Sequence, residues 1–283
     1  MNLRFVIDST FRFDEASIKE HELIVVPLNV IIDVASYRDG IDIDFNEVLD
    51  ASEQGHKVTT SQPAPGVFLE AFEQAKREGA TDILCLTMSS TLSGTYQSAK
   101  LAAELMEGVN IHVVDTLSTA IGSEMITRIL LKMWDEGATL KELLAKAKVL
   151  SEQTTIMMSM KNLNALKRSG RISRIKATLG NLLGVKAIIE YCKGKVMINT
   201  KARTENNVID QIVEKMKEAL SLVKGKIHIF VAHVANPALL TKIHEKLKAA
   251  FPSIDVQLRD GITPVIAVNL GYGGFGIAWC YES

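Results

Sequence analysis

The sequence has no surplus of one charge, few cysteines and only one long uncharged run, and each shortage argues against a class of function. Lysine and arginine number 32 against 33 aspartates and glutamates, a formal net charge of −1 over 283 residues. Without a basic surplus little is available to neutralise a phosphate backbone, so nucleic-acid binding is not expected. Cys85, Cys192 and Cys280 stand far apart, with no CxxC spacing and no histidine cluster. That pattern argues against a disulfide framework and against a structural zinc site. Residues 261–281 carry no formal charge and match the ~20 residues of a spanning helix. Their five glycines and Pro264 read as turns and close backbone packing, so stable membrane insertion is not expected. The first apolar run stops at Asp8, short of a signal-peptide core, and the expected location is cytoplasmic. What is there is 47% hydrophobic and 23% charged, ordinary for a globular protein, and the length suggests two domains at ~150 residues each.

In the first half, short apolar runs alternate with helical patterns. Residues 3–7, 22–32, 82–88 and 110–114 read as strands. Phe68 and Phe72, with Ala71 and Ala75, mark a helix over 66–78; Ala99, Ala102, Ala103 and Met106 mark another over 95–107. Thr139 and Glu142 form a capping box opening a helix over 140–152. Apolar strands alternating with helices predict a parallel α/β sheet.

The polar loops after these strands hold the candidate chemistry. They are Asp8-Ser9-Thr10, the turn Thr59-Thr60-Ser61-Gln62-Pro63, the stretch Ser89 to Thr95, and Asp115-Thr116. Ligands of open α/β sheets bind beyond the carboxyl ends of the strands, so these loops suggest one shared polar site. Each alone is an ordinary cap or turn. From Thr87 to Ser98, however, seven of twelve residues are serine or threonine, more than capping requires. No charged side chain stands there, which suits a carboxylate held by hydroxyls and helix amides better than a triphosphate. No GxxxxGK[ST] phosphate loop is present.

From about residue 154 the pattern changes. Residues 156–158 read as a strand, and 185–192 with 195–202 as a hairpin turning at Lys193-Gly194. A helix over 207–223, strands at 227–231 and 254–258 and a helix over 238–250 follow. Two tail strands are expected at 264–270 and 275–280, giving an α+β domain with a mixed or antiparallel sheet. The expected division is 1–153 and 154–283. Gly271 to Gly276 matches GxGxxG but lacks a following helix and reads as a glycine turn between strands. His233 reads as a structural histidine. Met125, Met133, Met157 and Met158 are core filler or the lining of an adaptable cavity. The basic segment 167–174 is a solvated helix end or an anion or partner site, with Arg203 a second candidate.

Taken together, five strings resemble the DegV family of bacterial fatty-acid-binding proteins. They are Asp8-Ser9-Thr10, Thr60 to Gly66 (TSQPAPG), Ser90 to Ala99 (STLSGTYQSA), Gly170-Arg171-Ile172-Ser173, and the tail from Pro264 to Gly276. The resemblance implies a two-domain DegV-like α/β protein that holds a long-chain fatty acid, C14–C18, between its domains and needs no cofactor. It implies that Thr60 and Ser93 bind the carboxylate, with Ser61, Gly94, Thr95 and Asn269 beside them. It further implies a non-catalytic subunit of a fatty acid kinase, whose separate ATP-binding subunit forms the acyl phosphate, with Arg171 and Arg203 serving phosphotransfer. Two positions depart from the family pattern: Asn269 stands where a histidine is usual, and Glu124 where a GxG usually ends. Two other readings are a serine-dependent acyl hydrolase or transferase with Ser93 as nucleophile, and a lipid carrier without kinase coupling.

Overall fold

The computed structural model describes residues 2–161, 163–170 and 186–282. The chain begins with β1 (Leu3–Asp8), α1 (Glu15–Glu20), β2 (Ile24–Val26), β3 (Asn29–Ile32), β4 (Ala35–Arg38), α2 (Phe45–Glu53) and β5 (Val58–Ser61). Next come α3 (Pro65–Arg77), β6 (Asp82–Thr87), α4 (Thr95–Glu104), β7 (Asn110–Asp115), α5 (Ala120–Asp135) and α6 (Leu140–Gln153). The remainder is β8 (Thr155–Ser159), α7 (Asn164–Arg168), β9 (Lys186–Cys192), β10 (Lys195–Ala202) and α8 (Glu205–Leu220). It closes with β11 (Lys226–His233), α9 (Pro237–Ala250), β12 (Val256–Arg259), α10 (Pro264–Leu270) and β13 (Phe275–Glu282).

The described residues form three sheets. The first is parallel, in the order β2-β1-β6-β7. Phe68, Ala71, Phe72 and Ala75 of α3 pack on it with Ala99 and Ala102 of α4, the faces the periodicity marked. The second is a six-stranded mixed sheet, β10-β9-β8-β13-β11-β12, antiparallel except between β11 and β12. The expected hairpin at Lys193-Gly194 pairs Cys192 with Lys195. The third is a small antiparallel sheet, β4-β3-β5.

That small sheet corrects two expectations. The run 22–32 is not one strand: Pro27 has no N–H to give a ladder, and the chain leaves the parallel sheet there to begin β3. Residues 59–61 are not a turn but part of β5, paired with β3 through Val30↔Thr60 and Asn29↔Ser61. A third correction concerns the tail, where 264–270 is the helix α10 and not a strand. Pro264 occupies its first turn, and Gly271 follows it at φ 69°, the proline-in, glycine-out signature of a helix. The glycine-rich run therefore joins a helix to β13.

Helix α5 lies between the layers, with ten positions from Ile121 to Leu131 buried. One apolar cluster runs from Phe5 and Leu86 through Met125 and Leu130 to Phe230 and Ala278. Gly122 lets α5 approach the mixed sheet, since a Cβ there would fall 2.9 Å from Ile156 Cδ1. The division expected at residue 153 falls where α6 gives way to β8, although α5 and α6 both pack on the mixed sheet. Thr139 and Glu142 close the expected capping box on α6. Among the described residues, no helix is long and apolar enough to cross a membrane.

Candidate functional site

A cavity partly open to solvent lies where the three sheets meet, with about 1060 Å³ of empty space when its mouth is included. Its wall is built by β5, the loop after β6, the first turn of α5, strands β8, β9, β10, β11 and β13, and helices α7 and α10. The polar side chains on it are Thr60, Ser61, Ser93, Thr119, Tyr191 and Asn269; no charged one is present among the described residues. Apolar contributions come from the mixed sheet, the loop after β6 and α10, including Leu92, Ile156, Ala232 and Ile266. An apolar lining with a few hydroxyls suits an aliphatic chain, whose affinity would come from burial and whose orientation the hydroxyls would fix.

Two of the six family-implied contacts, Thr60 and Ser93, meet this cavity from different elements. Thr60 projects from β5, which the small sheet holds in place. Ser93 precedes α4, with its Oγ 2.8 Å from Thr95 Oγ1 and 3.4 Å from the Thr95 amide that donates to it. Ser61 and Asn269 also line the cavity; Gly94 and Thr95 stand just behind it. Gly94 is closely packed, since a Cβ there would overlap the Gln62 side chain, which donates to Ser98 Oγ at 3.2 Å. Asn269 donates from Nδ2 to the Val265 carbonyl at 2.8 Å, leaving its buried Oδ1 without a partner among the described residues.

The sequence reading missed Thr119. It is the N-cap of α5, its hydroxyl makes no capping bond, and its buried Oγ1 faces the cavity unpaired among the described residues. Its position after β7, in Asp115 to Thr119, was the available signal. Of the methionines singled out earlier, Met158 lines the cavity whereas Met125 and Met157 are core and Met133 is partly buried; Met88 joins the lining.

The other hydroxyl loops are consumed by structure rather than offered to the cavity. Thr116 Oγ1 donates to the Thr87 carbonyl at 2.9 Å, and Asp115 accepts from the Leu117 and Ser90 amides. Asp8 accepts from the Thr10 amide and hydroxyl, and Ser9 Oγ donates to Asp39 Oδ2 at 2.6 Å. The expectation that all four loops share one polar site is corrected accordingly. His233 is structural, its Nδ1 accepting from the Asn236 amide at 2.9 Å, and burial lowers its pKa below 6.5. Arg203 is exposed in the turn between β10 and α8, and Arg171 lies outside the described residues.

Burial pushes the carboxyl of Asp39 up to about 7 and that of Asp8 to about 6, against 3.8 ordinarily. In the unfolded chain both ionise at their ordinary value, so near neutrality the folded state holds more protons. Stability is then lost as pH rises through these values, and the fold is expected to be about 1 kcal/mol more stable near pH ~6.5 than near pH ~8. Below that window His233, buried and neutral, works in the opposite direction. Urea midpoints across the range check the sign; a higher midpoint at the alkaline end contradicts it.

A family model described as an uncharacterised protein of the DegV family matches residues 2–282. A DegV domain-containing protein of Staphylococcus aureus is 31% identical over 274 residues, covering 96% of each chain. Among solved structures, a fatty-acid-binding DegV family protein of Thermus thermophilus superposes over the whole of both chains at TM-score 0.92 and 28% identity. A DegV lipid-binding protein of Thermotoga maritima gives 0.87 and 25%, covering 100% of this chain and 99% of that one. The fatty acid kinase B3 protein of Streptococcus pneumoniae, loaded with linoleic acid, shares the fold at TM-score 0.85 and 21% identity over the whole of both chains.

Proposed function

The chain belongs to the DegV family, and from that premise we propose that it binds one long-chain fatty acid in the cavity between its sheets. The observation that carries this reading is an apolar space with no charged side chain among the described residues, whose polar contacts are mainly hydroxyls. Burying ~14 methylenes at ~0.8 kcal/mol each gives on the order of 11 kcal/mol of gross driving force. Association and ordering take back several kcal/mol. The head group then needs only orientation, which Thr60 and Ser93 supply without a buried cation.

Replacing Ser93 or Thr60 by alanine is expected to weaken fatty-acid binding by ~1–2 kcal/mol each, the scale of a hydrogen bond to a charged group. Titration with a fluorescent fatty acid measures this. Unchanged affinity in both variants places the carboxylate elsewhere and overturns their assignment.

The bound carboxylate is presented to a separate ATP-dependent kinase subunit that forms the acyl phosphate, with Arg171 and Arg203 serving that step. What supports this half is the motif resemblance, together with the exposure of Arg203. Against Ser93 as an activated nucleophile stands its hydrogen-bond partner, the Thr95 hydroxyl at 2.8 Å. Asn269 cannot relay a proton as a histidine does, which favours a second reading, a carrier uncoupled from any kinase. Acyl phosphate formation with a cognate kinase decides between the two.

A further inference from the structure

Three backbone donors on the cavity wall end on one buried network behind it. The Met88 amide donates to Asp8 Oδ2 at 2.5 Å, the Leu28 amide to Ser9 Oγ at 3.0 Å, and the Val265 amide to Asp39 Oδ1 at 2.9 Å. These residues follow β6, link β2 to β3 and open α10, and all three line the cavity. The Ser9 hydroxyl joins the halves by donating to Asp39, while the Asp39 amide donates to the Leu28 carbonyl at 2.9 Å. Asp8, Ser9, Thr10 and Asp39 are all buried. Among the described residues neither carboxylate has a cationic partner. The titratable groups facing them are each other and, toward Asp8, the Cys85 thiol of β6, which burial keeps protonated.

We propose that Asp39 is a positioning residue for acyl-chain retention, fastening the first turn of α10 to the carboxyl end of β1 through Val265 and Ser9. The proposal takes its ligand from the fatty-acid reading above. Ionised, Asp39 accepts from the Ser9 hydroxyl at Oδ2; protonation on Oδ2 reverses that one bond, so that Asp39 donates to Ser9 Oγ, while Oδ1 accepts from the Val265 amide in both states. Ionised, it is an uncompensated charge beside Asp8, and lifting α10 admits water to it. In a closed wall the Asp39 carboxyl titrates at about 7; in an opened one it moves toward its ordinary value. Closure is therefore favoured as pH falls through that value and opening as it rises.

The test is release of bound cis-parinaric acid into excess albumin near pH ~6 and pH ~8, in wild type, Asp39→Asn and Asp39→Ala. The ligand's own titration is common to all three. Wild type is expected to release several-fold faster at the higher pH, whereas Asp39→Asn, which mimics the protonated form, is slow and flat. Asp39→Ala, lacking the acceptor, is expected to release about tenfold faster at both. Amide exchange over 264–270 in ligand-free protein, corrected for intrinsic rates, follows the same order. An Asp39→Asn profile like that of wild type overturns the proposal, as does unaltered protection of Val265 in Asp39→Ala. Should wild type load no fatty acid, the fatty-acid reading falls, and the exchange data still decide the role of Asp39.

Discussion

Replacing Gly276 by leucine is expected to lower affinity for a C16–C18 acyl chain about 100-fold and leave the protein folded. Gly276 sits in β13, paired with Met158 and Ala232 and facing the cavity. A Cβ at this position would lie 3.8 Å from Ile156 Cγ2 and 3.9 Å from both Ile121 Cδ1 and Met158 Cβ. Those are ordinary contacts, so the backbone accepts a side chain and the rest of the leucine extends into the cavity. Displacing about four methylenes of ligand at ~0.8 kcal/mol each removes roughly 3 kcal/mol of binding. Gly276→Ala should lose far less. The same titration, with a thermal melt as control, reads both; full affinity in the leucine variant means that the chain takes another path.

A comparable loss, in stability rather than binding, is expected from Glu124→Ala. Fully buried on α5, Glu124 places Oε1 2.7 Å from the Nε of both Arg128 and Arg259. The guanidinium of Arg128 stacks on Phe13, and that of Arg259 on Phe230. One carboxylate thereby ties α5 to the end of β12 and, through Arg128, to Asp14 at the start of α1. Truncation leaves two half-buried cations with no shared acceptor. Breaking a buried pair in this way costs about 3 kcal/mol, toward the lower end because both arginines reach solvent. Glu124→Gln, which keeps an acceptor, should lose about half as much. Denaturant midpoints give the comparison, and a change below about 1 kcal/mol for the alanine variant removes the tie from the account.

This residue marks what the sequence could and could not disclose. Glu124 was visible as a departure from the family pattern, but its partners are 4 and 135 positions away, and only the first distance has a helical period. Strands of the parallel sheet, α3, α4 and α6 were legible because burial on one or both faces writes a period into the chain. Thr60 and Ser93 were legible through unusual strings. Helix α10 was not, since a seven-residue run that is apolar but for Asn269 fits a strand or a helix equally, and Pro264 with Gly271 carried the deciding signal. Asp8 and Ser9 looked like ligand contacts because a hydroxyl or carboxylate after a strand has the same sequence signature whether it meets a ligand or a backbone amide. Their true partners, Met88, Leu28 and Asp39, are brought together only by the fold. Thr119 was passed over as another loop hydroxyl, and its lack of a capping bond is a property of geometry alone.

Mass spectrometry of the natively purified protein, before and after extraction with organic solvent, tests fatty-acid binding most directly. One C14–C18 fatty acid per chain, with reloading of the emptied protein by oleate or palmitate, is the expected result. A protein that carries no acyl chain and takes up neither acid contradicts it.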